Sequence, residues 1–64
     1  MKLVDIPKGS KIYADCSDGS KYIIFNHLDG MYSHCTTEKG ATVHLAGFQE
    51  LKKVGESQDY SLGE

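Results

Sequence analysis

The chain has 64 residues, which is enough for one small domain with a thin core and excludes an enclosed substrate cavity. A hydrophobic fraction of 39% and a charged fraction of 25% are typical of a folded globular chain and exclude wholesale disorder. The net charge of −2 excludes a strongly basic protein that binds nucleic acid by charge alone.

The first residues predict a short strand at 2–6, which ends before Pro7 because proline lacks the amide proton that a ladder needs. No apolar run here is long enough for a signal peptide, and none elsewhere approaches a membrane span. We therefore expect a cytoplasmic protein without membrane contact.

Alternating apolar and polar side chains then predict four better strands, at residues 11–16, 21–28, 31–37 and 41–45. Turns containing Gly19, Gly30 and Gly40 separate these strands, and each glycine follows Asp or Lys. Because glycine accepts the positive φ of tight hairpin turns, the pattern predicts consecutive antiparallel hairpins.

The residues after the fourth strand are ambiguous. Phe48 and Leu51, at spacing three, predict one short helical or 3-10 turn near residues 47–50, followed by a brief closing strand. Residues 1–54 are thus expected to form a single small β-domain, and residues 55–64 an acidic, flexible C-terminal tail. Tyr60 and Leu62 stand out in this tail as either a late strand on a sheet edge or a segment offered to a partner.

About five short antiparallel strands with a turn before the last predict a mostly β fold, a meander closing into an SH3-like barrel. Closure also removes exposed strand edges in a chain too short to cover them with helices. In its size, its hairpin rhythm and the run 28–33 leading to Val43-His44-Leu45, the chain resembles small accessory proteins of bacteriophages and prophages. That resemblance implies a compact SH3-like or β-sandwich fold that binds another macromolecule, and it brings no functional residue with it.

The residue types that bind metals or act as nucleophiles do not form a motif here. They are Cys16, His27, His34, Cys35 and His44. No two of them have the spacing of two to four residues that structural zinc sites use, and adjacent residues on a strand point to opposite faces. A catalytic Cys or Ser would also need an oriented base and a cleft that excludes water. We expect no catalytic site, no metal, no cofactor and no small-molecule substrate.

The two cysteines leave two alternatives open. In a reducing cytoplasm Cys16 and Cys35 are expected to be small buried core residues. In an oxidising compartment a bridge between them would add about 3 kcal/mol of stability.

Protein binding is the main functional prediction. All four residues at 22–25 are apolar, so both faces of this strand carry apolar side chains. The strand therefore either crosses the centre of a closed barrel or shows an apolar stripe on its outer face. We predict a non-enzymatic module, a phage or prophage accessory protein that binds a host protein or itself through an apolar β-face. The predicted contact residues are Tyr13, Ile23, Phe25 and Tyr32 in an outward patch, with Tyr60 and Leu62 in the tail. In the alternative, the opposite wall of the barrel covers the patch.

A small-barrel protein that binds single-stranded nucleic acid is the second functional prediction. Tyr13, Tyr22, Tyr32 and Phe25 would supply rings for base stacking, and Lys11 and Lys21 would neutralise phosphates. The aspartates at positions 15, 18 and 29 lie among the same strands and would repel phosphate.

Overall fold

The chain folds into a six-stranded mixed sheet, which a computed structural model describes for residues 1–55 and 59–62. The elements are a 3-10 turn at Leu3–Asp5 and the strands β1 (Lys11–Tyr13), β2 (Tyr22–Asp29), β3 (Tyr32–Thr37), β4 (Thr42–Val43), β5 (Leu51–Val54) and β6 (Asp59–Leu62). The strand order is β4-β3-β2-β1-β6-β5. A mostly β fold is therefore confirmed. None of the described residues belongs to a helix long and apolar enough to cross a membrane.

Strands β1 to β4 form the predicted antiparallel meander. Gly30, with a φ of 65°, opens the two-residue loop between Asp29 and Tyr32, and Gly40, with a φ of 94°, lies between β3 and β4. Glycine enters this region of φ without steric cost, which confirms the turns predicted there. The ladders are shorter than predicted, since β1 ends at Tyr13 and β4 at Val43.

A β-bulge in β2 explains why its apolar residues change parity. Phe25 pairs with Cys35, but the next pair is His27 with His34, so Asn26 is an extra residue and its side-chain amide donates to the Thr36 hydroxyl (2.7 Å). The extra residue reverses which side each later residue faces. The bulge therefore directs His27 outward with His34.

The core lies on the inner face of the sheet and is closed by the N-terminal segment. Its buried apolar residues are Leu3, Ile6, Ile12, Ile23, Phe25, Cys35, Leu51 and Tyr60. The predicted strand at 2–6 is wrong, because residues 3–5 form the 3-10 turn. Residues three apart share a side of such a turn, and this geometry lets Leu3 and Ile6 both enter the core.

The C-terminal strand is the largest departure from the predicted architecture. β6 lies between β1 and β5, parallel to β1 and antiparallel to β5, and Tyr60 is buried. The prediction of a flexible tail is thus wrong for residues 59–62, which belong to the same sheet as the rest of the domain. For residues 56–58 and 63–64 the prediction lies outside the described residues. The purely antiparallel arrangement is wrong as well, because β6 gives the short β1 a parallel partner.

The region near residues 47–50 forms a turn, in which the Gln49 amide donates to the Ala46 carbonyl (3.0 Å), rather than a 3-10 helix. Strands β4 and β5 are the two edges of the sheet, and no ladder joins them in the described residues. Closure into an SH3-like barrel is therefore not confirmed.

Candidate protein-binding surface

The predicted outward patch is not formed. Ile23 pairs with Ile12 and Phe25 with Cys35, and all four are buried on the inner face. Tyr13 and Tyr32 lie on the other face and are exposed. Neighbouring residues of a strand point to opposite faces, so Tyr13, next to the inward Ile12, and Tyr32, three residues from the inward Cys35, face the other side of the sheet. The alternative, in which Ile23 and Phe25 belong to the core, is the arrangement that the fold adopts.

The two predicted contact residues of the tail differ in burial. Tyr60 is buried opposite Lys53 of β5 and pairs with Ile12 of β1. Leu62, at the end of the same strand, is partly exposed. The burial of Tyr60 removes it from any surface of the folded chain.

A different set of apolar side chains is exposed at one end of the sheet. The exposed fractions are 48% for Val4, 41% for Leu28, 71% for Met31 and 66% for Phe48. We call these four residues the apolar end. Isolated exposed apolar residues are ordinary, but a contiguous group is typical of a binding surface.

Gly47 brings the apolar end together. Its amide donates to the Met31 carbonyl (2.8 Å), and its carbonyl accepts from the Val4 amide (3.1 Å). A methyl group at Gly47 would lie 3.1 Å from Val4 Cγ1 and 3.8 Å from Leu28 Cδ2, so these side chains converge on it. Phe48 follows directly in the chain. The missing side chain at position 47 therefore lets three separate segments meet at one surface.

Local structure explains why these side chains are exposed. Met31 is the second residue of the β2–β3 loop, Phe48 is in the turn after Ala46, and Val4 lies between the buried Leu3 and the exposed Asp5 of the 3-10 turn. The sequence prediction missed them because it placed the contact residues on strands and in the C-terminal tail. Large apolar residues at turn positions, where polar residues are expected, were the available signal.

A histidine cluster lies next to the apolar end on the outer face. The rings of His27 and His34 stack with centroids 4.6 Å apart, and the ring of His44 meets that of His34 edge-on at 4.6 Å. His34 Nε2 lies 3.1 Å from Asp29 Oδ2, and His44 Nδ1 donates to the Ser33 carbonyl (3.1 Å). The bulge creates this cluster, since it makes His27 the cross-strand partner of His34. In the described part of the chain, no three His, Cys, Asp or Glu side chains are arranged to hold a metal ion.

The outer face of β1 and β2 carries a second aromatic group. Tyr13 pairs with Tyr22, and their rings meet edge-on with centroids 6.3 Å apart. Lys11 Nζ lies 4.5 Å from the centroid of Tyr22 and 5.7 Å from that of Tyr13. Asp59 is the ladder partner of Lys11 on β6.

The two thiols are unpaired and have raised pKa values. Burial raises the pKa of the Cys35 thiol, and a hydrogen bond with Ser33 lowers it in part. Burial is also the largest cause for Cys16, whose pKa is raised further by nearby negative charges. These charges belong to Asp18, Asp15 and Glu38. Since the thiolate is the reactive form, both residues are poor nucleophiles.

A small cavity opens beside the Thr37 end of β3, away from the β2–β3 loop. Its volume is about 320 Å³, and its apolar lining includes Ile23, Val43 and Leu62. Asp18 also lines it and accepts hydrogen bonds from the Ser20 amide (2.8 Å) and the Thr37 hydroxyl (2.9 Å). These bonds, with the charge of Lys39, lower the pKa of the Asp18 carboxyl despite some desolvation.

Comparison of the chain with family models, curated proteins and solved structures finds no match. Nothing in these comparisons bears on the resemblance to phage and prophage accessory proteins.

Proposed function

We propose that the protein is a non-enzymatic protein-binding module that docks a protein partner on its apolar end. The observation that carries this proposal is that the side chains of Val4 and Leu28 and the Met31 carbonyl meet at Gly47, which Phe48 follows directly, while all four side chains remain exposed. Methionine and aromatic side chains are enriched at the centres of protein interfaces. Burying them against a partner would stabilise the complex by about 1.5–3 kcal/mol for each fully buried side chain.

The chemistry of the polar groups supports binding rather than catalysis. Cys35 is buried and Cys16 is surrounded by carboxylates, and the pKa of each thiol is raised. The histidine rings contact one another, Asp29 and a backbone carbonyl, whereas the hydrogen bonds of the two thiols join Cys16 to the Ala14 carbonyl and Cys35 to Ser33. An activated Cys–His pair is therefore not assembled in this part of the chain.

We extend the proposal to the type of protein and to its location. Its size and hairpin rhythm support a phage or prophage accessory protein with an SH3-like arrangement, in which residues 44–50 continue from β4 to β5. The bonds from the Ser33 amide to Leu45 and from the Leu3 amide to Gln49 (2.7 and 2.9 Å) support this continuity. The unpaired thiols support the cytoplasm, because a reducing compartment keeps cysteines in this state.

A double variant, Met31→Ser with Phe48→Ser, tests the proposed docking surface. Both residues are exposed, so the variant should keep the fold, which far-UV circular dichroism checks. The expected result is at least about tenfold weaker association, measured by light scattering if the partner is a second copy and by pull-down from the native host lysate if it is a host protein. The matched control is Tyr13→Ser on the outer face. Equal association of the double variant and the wild type would contradict the proposal.

Binding of single-stranded nucleic acid is the second candidate function. The specific observation in its favour is the position of Lys11 Nζ over the rings of Tyr13 and Tyr22 on an open sheet face. Bases stack on such rings, and a cation beside them neutralises phosphate. A salt titration with an oligonucleotide tests it, since phosphate contacts make the affinity fall steeply with added salt. A flat response, or no binding, would exclude this function.

A further inference from the structure

Within the described residues, the outer edge of β4 has backbone groups that no neighbouring strand pairs. The Thr37 amide donates to the Ala41 carbonyl (2.8 Å), and the Ser33 amide donates to the Leu45 carbonyl (2.7 Å). In an antiparallel ladder, residues that alternate with such bonded positions turn their amide and carbonyl away from the partner strand. Thr42 and His44 alternate with Ala41 and Leu45, and β4 is an edge strand. Their amides and carbonyls therefore point away from β3 in the described structure.

The cavity lies directly beside this edge. Val43 and Leu45 line it from the β4 side, and Cys16, Ile23 and Leu62 complete the apolar part of its lining. A strand that paired with Thr42 and His44 would project alternate side chains to the same side as Val43 and Leu45. One such side chain would enter the cavity, whose volume of about 320 Å³ is at the low end of the range for ligand pockets, roughly 300–1,000 Å³.

The mouth of the cavity is acidic. Asp15 and Asp18 line it, and Glu38 is close enough to act on the Cys16 thiol together with them. Lys39 offsets part of the charge of Asp18, whereas Asp15 is exposed. A ligand that carries positive charge on either side of the inserted apolar residue would be attracted to this rim.

We propose that the β4 edge binds an extended segment of a partner protein by strand addition, with one aliphatic side chain in the cavity and Lys or Arg two residues away facing the acidic rim. Backbone hydrogen bonds to Thr42 and His44 would supply affinity, and the cavity and the rim would supply specificity. This site is separate from the apolar end, since the two lie at opposite ends of β3. It adds a second binding surface and does not depend on the first.

The probe for this proposal is the synthetic peptide Lys-Thr-Ile-Thr-Lys, acetylated and amidated at its ends, titrated into the full chain labelled with ¹⁵N. In an extended peptide its Ile and both Lys side chains point to one side. We expect saturable shifts of the amide signals of Thr42 and His44. Peptides with Ala in place of Ile, or Glu in place of both Lys, should bind at least about tenfold more weakly.

Two protein variants complete the experiment. Thr42→Pro removes an amide donor that points away from β3, a position where an edge strand tolerates proline, and should abolish the binding of the Lys-Thr-Ile-Thr-Lys peptide. The double variant Met31→Ser with Phe48→Ser should bind this peptide as the wild type does. Circular dichroism checks the folding of both variants. If Thr42→Pro does not fold, the binding of the Ala and Glu peptides to the wild type still tests the proposal. The absence of a saturable shift at Thr42 and His44 would overturn the proposal, and so would equal binding of the Glu peptide and the Lys-Thr-Ile-Thr-Lys peptide. Neither result depends on whether a partner docks on the apolar end.

Discussion

Replacement of Phe25 by alanine is the sharpest test of how the sheet is oriented. Phe25 is 3% exposed, opposite Cys35 and within the core that includes Ile12, Ile23 and Tyr60. Truncating a buried phenylalanine to alanine costs about 3–5 kcal/mol, because apolar contacts are lost and a cavity remains. A domain of this size has a total free energy of unfolding of about 3–10 kcal/mol. Phe25→Ala should therefore leave the domain unfolded or close to it at room temperature.

Urea denaturation followed by far-UV circular dichroism measures this loss. The matched control is Tyr32→Ala, because Tyr32 is exposed on the other face and its truncation should change the free energy of unfolding by no more than about 0.5 kcal/mol. A loss of less than about 1 kcal/mol for Phe25→Ala would refute the inward orientation of β2. It would restore the outward patch that the sequence predicts.

Three further predictions concern the C-terminal strand, a turn and an acidic group. Truncation after Gly55 removes β6, which pairs with both β1 and β5, and should unfold the domain. A native far-UV circular dichroism spectrum of the truncated chain would contradict the position of β6. Gly30→Ala should lower the free energy of unfolding by about 1 kcal/mol through the positive φ alone, since nothing lies near its added methyl group. Gly30→Asn should lower the free energy of unfolding by less. Equal stability of both variants and the wild type would contradict the turn geometry. The pKa of Asp18 is lowered from 3.8, so this carboxylate stabilises the fold above pH 3.8 and the contribution is lost as the pH falls through the folded-state pKa. Urea titrations between pH 5 and pH 2 should show that the free energy of unfolding falls less for Asp18→Asn than for the wild type. An equal fall in both proteins would contradict the hydrogen bonds to Asp18.

The hairpins could be predicted from the sequence because local rules determine them. Glycines at 30 and 40 occupy turn positions, and the alternation in residues 31–37 follows the pleat of one strand. The N-terminal segment follows a different rule. Leu3 and Ile6 enter the core at a spacing of three, which over so few residues resembles the edge of a strand as much as a 3-10 turn.

The position of β6 could not be predicted, because it depends on long-range pairing. Its four residues include two polar ones and belong to the acidic segment 55–64, so composition favoured a mobile end. What stabilises β6 is two ladders and the burial of Tyr60, and neither is visible in local sequence. The signal that was present, Tyr60 and Leu62 at spacing two, indicated the strand but not its parallel partner.

The candidate site was only partly predictable for the same reason. Leu28 follows the bulge at Asn26, so the face on which it lies depends on an irregularity that one sequence does not reveal. The apolar end combines Val4, Leu28, Met31 and Phe48 from three segments, and only the folded chain brings them together at Gly47.

Amide spectra of the ¹⁵N-labelled protein show directly whether a partner docks on the apolar end. They are recorded at rising protein concentration if the chain associates with itself, and with the captured host protein otherwise. If a partner docks there, the amides of Leu28, Met31 and Phe48 shift or broaden while those of Tyr13 and Tyr22 remain unchanged. Changes confined to Tyr13, Tyr22 and their neighbours on β1 and β2 would contradict it.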